Sequence, residues 1–251
     1  VPPSPARAER LAALRAEVRA LESAGSEQRE YLPFEVDAID SRLAGGGLPV
    51  ASLNEAAGER SGPADEAAAT LFLASIAARR PGIVLWALAR RDLFAPGLAG
   101  AGLPPDRVLY AECLRDEDVL AVMEEGLRHG GLAAVVGEVR RAAMPATRRL
   151  QLAAEEGGTL ALMLRRWRGN GEDPLAVPSA AVTRWRLACA PSSALPVAGI
   201  GRPRWRLTLA RQRGGAPFDL IMETPDAEAR LALPSLPQHR PSEDERERKA
   251  A

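Results

Sequence analysis

The sequence predicts an α/β fold, a mostly parallel twisted sheet with helices on both faces and antiparallel strands added at its C-terminal edge. Three observations lead there. From Leu32 to Arg166, short apolar runs alternate with helical stretches, the rhythm that builds parallel sheets. One run, 83–89, is continuously apolar, as a strand covered on both faces must be. Beyond residue 180 the pattern turns to alternating segments separated by Pro/Gly-rich stretches, which reads as antiparallel pairing.

Residues 5–23 read as an amphipathic helix. Leu11, Leu14, Val18 and Leu21 recur at helical spacing with Arg and Glu between them. Such a narrow stripe suits docking on a partner helix, or packing on its own domain. A polar linker closes this N-terminal unit at residue 30. The core spans 31–234, and the charged, proline-containing segment 235–251 is expected to be disordered. Within the core, strands are predicted over 50–55, 83–89, 107–112, 132–136 and 160–166. Helices are predicted over 65–79, 93–101, 116–129 and 144–156. The segments 180–188, 204–211 and 218–224 are the edge strands, the last two joined by the turn Gly214-Gly215-Ala216-Pro217.

The first strand runs into Ala56-Ala57-Gly58-Glu59-Arg60-Ser61-Gly62 and then a helix. Strand, glycine loop and helix together are the frame of a phosphate-binding loop, which also needs a lysine and a Ser/Thr just after its last glycine. Here Pro63, Ala64, Asp65 and Glu66 follow Gly62, and the single lysine of the chain is Lys249. Two carboxylates stand where phosphate requires positive charge. Gly58 and Gly62 therefore mark a degenerate loop, and no cofactor is expected.

The 251 residues, 46% of them hydrophobic, suffice for one substantial core. No apolar run reaches membrane-spanning length, and the first residues lack the apolar stretch of a secretory signal. The expected address is the cytoplasm, with no membrane contact. Cys113 and Cys189 are isolated and read as two buried thiols, and His129 and His239 are the only histidines. No disulfide framework, structural zinc or Cys–His catalysis is expected. Charge is unevenly placed. Residues 1–138 carry 14 Arg against 21 acids, a net of −7, whereas residues 139–213 carry 14 Arg against 4 acids, a net of +10. A GC-rich genome explains arginine in place of lysine, but not this clustering.

Arg-Trp-Arg occurs at 166–168, 184–186 and 204–206. On a strand each tryptophan points opposite its two arginines, so Trp185 and Trp205 are assigned to the core with Leu187 and Leu207. Arg184, Arg186, Arg204 and Arg206 then form outer basic stripes, either merely solvated or contacting phosphates or an acidic partner. Arg140-Arg141 and Arg148-Arg149 bracket a short segment after the 132–136 strand and carry the same two readings. Glu124-Glu125 and Asp116-Glu117-Asp118 are read as helix-dipole and solvation features, not catalytic carboxylates.

Two stretches resemble RecA. Pro33-Phe34, Ile39-Asp40, Gly45-Gly46-Gly47-Leu48-Pro49 and Asn54-Glu55 resemble the segment before its phosphate loop. Ala210-Arg211-Gln212-Arg213-Gly214-Gly215-Ala216-Pro217-Phe218 resembles its C-terminal strand pair. Over residues 6–234 the chain more specifically resembles the ImuA family, RecA-related accessory proteins of bacterial damage-inducible mutagenesis. The strongest stretches are Leu85-Trp86 with Arg90-Arg91-Asp92-Leu93-Phe94-Ala95-Pro96-Gly97-Leu98, and Glu124-Glu125-Gly126-Leu127-Arg128 with Val135-Val136-Gly137-Glu138-Val139. The resemblance implies a RecA-like core without catalysis. It also implies ImuB and an error-prone paralogue of the DNA polymerase III α-subunit as partners, with RecA and single-stranded or primer-template DNA as further contacts.

Where RecA places a catalytic glutamate, this chain has Arg90-Arg91, and where its Walker B aspartate would follow the 132–136 strand, it has Gly137. Glu138, one residue on, is expected to point to the opposite face. Arg211 and Arg213 match a basic pair that in RecA filaments reaches a neighbour's nucleotide; here they are read as contacts to a partner or DNA. A cell-division inhibitor of the SulA type is the alternative. An ATPase with an unusual loop ranks last.

Overall fold

The computed structural model describes residues 30–168, 171–192 and 201–234, together with Arg10 and Gly199. The stripe Leu11, Leu14, Val18 and Leu21, and the segment 235–251, lie outside the described residues. A small antiparallel pair opens the core, β1 (Tyr31–Leu32) against β2 (Leu48–Pro49). Between them sits the short helix α1 (Asp37–Asp40), fixed by the Asp40 carboxylate, which accepts the N–H groups of Phe34 and Val36 at 2.7 and 3.2 Å.

Four parallel β–α steps and a closing strand follow: β3 (Leu53–Gly58), α2 (Pro63–Ala78), β4 (Val84–Leu88), α3 (Ala95–Gly100), β5 (Val108–Glu112), α4 (Asp116–His129), β6 (Ala134–Val139), α5 (Met144–Gly157) and β7 (Leu160–Arg165). The strands β8 (Thr183–Ala190), β9 (Arg204–Gln212) and β10 (Phe218–Glu223) complete the sheet. Its order is β10-β9-β8-β3-β7-β6-β4-β5. All pairings from β8 to β5 are parallel, and β8–β9 and β9–β10 are antiparallel. The predicted fold class holds.

Both faces are covered, each for a reason visible in side chains. On one face α2 packs Ala69, Phe72, Leu73 and Ile76 against Trp86, Val136, Leu162 and Leu164. Phe34, Phe72 and Phe218 surround Trp185, with ring centroids 5.5–6.0 Å from its own. Burying side chains of this size contributes about 1.5–3 kcal/mol each, so this cluster anchors the antiparallel half to the parallel half. On the other face α4 and α5 present Val119, Met123, Leu127, Leu150 and Ala153 to Leu85, Val135, Ala161 and Met163. Both helices stop at left-handed glycines, Gly130 (φ 69°) and Gly158 (φ 62°), the conformation glycine adopts without strain.

Most boundaries shift by one to three residues from the sequence reading, and three of these shifts bear on the site. The first parallel strand starts at Leu53, not residue 50, because the Ser52 N–H turns back to the Val50 carbonyl at 2.7 Å and leaves Val50 beside β2. Its end shifts accordingly to Gly58. Strand β6 runs on to Val139, so Gly137 and Glu138 lie inside it.

Candidate functional site at the carboxyl edge of the sheet

In open α/β sheets, ligands bind in crevices outside the carboxyl ends of the parallel strands. Here that edge begins at the β3–α2 connection. Only residues 59–62 separate Gly58 from Pro63, and the strand end abuts the helix directly. A Cβ on Gly58 would lie 2.8 Å from the Asp65 backbone carbon. Pro63 supplies no N–H, and the first turn carries Asp65 and Glu66, so the positive end of the helix dipole faces the helix's own carboxylates. Asp65 is buried. It accepts the Arg60 Nε at 2.9 Å and the Cys189 N–H at 2.8 Å. Burial pushes its carboxyl upward, but these hydrogen bonds outweigh it and hold the group below its ordinary value. The Trp167 indole N–H donates to the Gly58 carbonyl at 2.8 Å and pins the loop from the far side.

Part of the space facing α2 is taken by Arg166, which follows the last residue of β7. Its Nε and Nη2 donate to Glu138 at 3.0 and 2.6 Å, and its Nη1 donates to Glu66 at 2.9 Å. Asp92 stands 3.7 Å away. The other Glu138 oxygen accepts the Trp86 indole N–H at 2.7 Å. Burial alone lowers the guanidinium pKa, yet Glu138 and Glu66 outweigh it and raise the value. Glu138 does point opposite Gly137, whose missing side chain makes room for Met123. The face it reaches, however, is the α2 side, so it closes this space instead of turning away from it. A magnesium nucleotide does not fit these residues: polyphosphate would meet Asp65, Glu66 and Asp92, with no lysine and a first helical N–H removed by proline. A cavity of about 680 Å³ remains open at the loop itself, lined by Gly62, Pro63 and Glu66 on one side and by Arg90, Phe94 and Arg140 among others.

On the opposite face lies a second ion cluster. Glu55, fully buried, accepts the Arg184 Nε at 2.7 Å and the Ser179 hydroxyl at 2.6 Å, and Arg165 approaches to 3.7 Å. Two guanidiniums face one carboxylate. Burial is the main influence on Arg165 and lowers its pKa, against the pull of Glu55. Arg165 Nε and Arg184 Nη2 are buried without a hydrogen-bond partner. Arg165 also lines a pocket of about 270 Å³ at the ends of β6 and β7, together with Arg140, Arg141, Arg166 and Arg168.

The structure divides the arginines named from sequence. Arg140 and Arg141 meet at the β6 exit, where Asp116 accepts both of their backbone N–H groups. Arg148 is exposed on α5, and Arg149 pairs with Glu124. Arg186 pairs with Asp173, and Arg206 with Glu59. Arg204 is half-buried, its Nε without a partner. Arg211 donates to the Ser179 carbonyl at 3.0 Å, and Arg213 is half-buried. These last two flank Gln212 at the opposite end of β9 from Arg204, so they belong to the amino edge of the sheet.

One expectation is corrected outright. Arg184 belongs to no outer stripe, since it is 7% exposed and bound to Glu55. Trp185 and Trp205 do lie in the core. The thiols are also corrected: Cys113 is half-buried and Cys189 exposed. Sequence reasoning left out Arg165, Arg166 and Arg168 as site residues, although the first Arg-Trp-Arg triplet, at the exit of an apolar run, marked two of them. The ion pairs of Glu55 and Glu138 carried no signal, since a carboxylate within a strand gives no sign of a partner distant in sequence. Among the described residues, no group of three or more His, Cys, Asp or Glu side chains could hold a metal, and no helix is long and apolar enough to cross a membrane.

Comparison with known proteins follows this geometry. No family model matches the chain. Protein ImuA of Caulobacter vibrioides, from two strains, is 38% identical over 205 residues, covering 78% of this chain and 84% of the relative. Among solved structures, the RadB recombinase superposes with a TM-score of 0.56 at 14% identity, over 81% of this chain and all of that one. That likeness concerns the fold, a RecA-like sheet.

Proposed function

The chain belongs to the ImuA family, and on that premise we propose that it is a non-catalytic accessory protein of damage-induced, error-prone translesion DNA synthesis in the cytoplasm. Its work is to assemble ImuB and an error-prone DNA polymerase III α paralogue, with the RecA-like core as the platform. The stripe Leu11, Leu14, Val18 and Leu21 and the segment 235–251 are the adhesive parts. The exposed arginines, Arg140, Arg141, Arg148 and Arg206 among them, meet DNA or an acidic partner surface, and RecA is a further contact.

One observation carries the reading. Where a phosphate-binding loop would need a lysine, the loop–helix junction carries the chain's own Arg166–Glu66–Glu138 ion network. A frame of this kind without that lysine still offers its surfaces to other proteins. Co-purification of the full chain with ImuB tests the reading, repeated without residues 1–23 and without 235–251. A stable complex lost on one truncation supports the adaptor and locates its adhesive segment. No complex, together with unchanged damage-induced mutation when the gene is deleted, ends the proposal.

A further inference from the structure

The cavity of about 680 Å³ beside the glycine loop has a wall of apolar side chains. Leu71 of α2, Leu93, Phe94 and Leu98 around α3, and Trp167 line it. Phe94 is 70% exposed there. A Cβ on Gly97 would stand 3.2 Å from the Phe94 ring and 3.5 Å from a Leu71 methyl, so the missing side chain lets the ring lie close over α3. A second pocket of about 210 Å³ shares Arg90, Arg140 and Arg166 with this cavity, and Leu114, 92% exposed, lines it. The two make one trough across the exits of β6, β4 and β5, which are neighbours in that order. Strands about 4.8 Å apart give it a length of about 10 Å, close to two turns of a helix. Large apolar side chains left in solvent around one hollow mark an interaction surface.

Charge narrows what can occupy it. Of the four arginines that line the trough, Arg166 pairs with Glu66 and Glu138, Arg90 with Asp92, and Arg115 with Asp118. Among the described residues, the guanidinium of Arg140 has no carboxylate partner; Asp116 accepts its backbone N–H instead. One unmatched cation between apolar walls suits an apolar group that carries a single carboxylate beside it. A run of phosphates would need a row of free cations and would meet Glu66 and Asp92. A small apolar acid would fill the cavity but leave Leu114 uncovered. An amphipathic helix, with apolar anchors three, four or seven residues apart, covers both pockets at once.

We propose that this trough docks one amphipathic helix of a protein partner. Its apolar side chains enter the cavity beside Phe94 and pack on Leu114, and a carboxylate next to them pairs with Arg140. The proposal rests on the accessory reading above and names the surface through which the core itself holds its partner.

The test is calorimetric titration of the full chain with purified ImuB. Phe94→Ala should weaken binding about 30-fold, the usual effect of removing an aromatic anchor at the centre of an interface. Ala67→Trp fills the cavity from an exposed position on α2 and should weaken binding as much, although it removes no contact. Arg140→Ala should cost about fivefold and reduce the salt dependence, and Arg140→Lys should recover most of it. Phe94, Ala67 and Arg140 are all exposed, and unchanged thermal unfolding confirms that each variant folds. Parent-like affinity in Phe94→Ala and Ala67→Trp overturns the proposal, as does binding lost only on removal of residues 1–23 or 235–251. Oligothymidine that competes with ImuB and itself fails to bind Ala67→Trp gives the trough to nucleic acid and overturns it. So does a dimer of the parent that Phe94→Ala dissociates while ImuB binding persists. A parent complex that the trough variants leave intact defeats this inference alone; a parent that forms no ImuB complex defeats the accessory reading beneath it.

Discussion

Glu138→Gln is the substitution that most sharply probes the ion network beside the glycine loop. The Glu138 side chain is 4% exposed and that of Arg166 10%, and they meet through two hydrogen bonds to one oxygen. At an effective dielectric near 20, opposite charges about 4 Å apart attract by about 4 kcal/mol. Removing one partner of a buried pair costs about 3–5 kcal/mol. Glutamine is isosteric and can still accept the Trp86 N–H, and Glu66 still holds Nη1. The loss should therefore fall near the low end, about 3 kcal/mol, or roughly 6–12 °C in Tm for a chain of this size.

Arg166→Ala should cost more, because it leaves Glu66 and Glu138 facing one another without a cation between them. Combining Glu138→Gln with Arg166→Met should cost clearly less than the two singles summed, since the uncompensated charge is then gone. Urea unfolding followed by tryptophan fluorescence reads all of these, with the midpoint and slope fitted separately. A Glu138→Gln loss below about 0.5 kcal/mol, or strict additivity in the cycle, would refute the network as drawn.

Three further outcomes follow from other parts of the molecule. Gly157→Ala places a Cβ 1.9 Å from the Leu127 carbonyl oxygen, so α4 and α5 must part; about 2 kcal/mol or more should be lost, read by the same unfolding assay. Asp65 has a folded pKa below its ordinary 3.8, so its stabilisation is present above that pH and is lost as pH falls through the lower folded value. Asp65→Asn should then be less stable than the parent at pH 7, with the gap narrowing as the pH falls below 3.8 in acid-unfolding curves. The Cys189 thiol, pushed up first by burial and then by Asp65, should react with maleimide at neutral pH more slowly than a free cysteine, and faster in Asp65→Asn.

Periodicity carried the fold because both sheet faces are genuinely apolar. The run at 83–89 and the stretch 116–129 became β4 and α4 almost residue for residue. It failed where a charge stands in a strand. A period-two reading sent Arg184 outward because Trp185 faces α2, and that inference about faces was right. What it could not report is that the second face of β8 is covered by the segment carrying Leu175 and Ser179, where Glu55 waits. Glu138 was read onto the correct face, but the predicted strand stopped at Val136, whereas β6 continues to Val139, which is buried against the α4–α5 layer. The ion network around Arg166 was not legible, because the four groups involved come from α2, the β4 exit, β6 and the residue after β7.

Titration of the full chain with magnesium-ATP, followed by calorimetry and thermal unfolding, tests the central claim most directly. A site with a working phosphate position would stabilise the fold by about 2.7 kcal/mol at ligand a hundredfold above its Kd. The closed position predicts no binding heat, no rise in Tm and no phosphate release, with or without single-stranded DNA. Saturable heat with a raised Tm, or ATP turnover, would contradict the account.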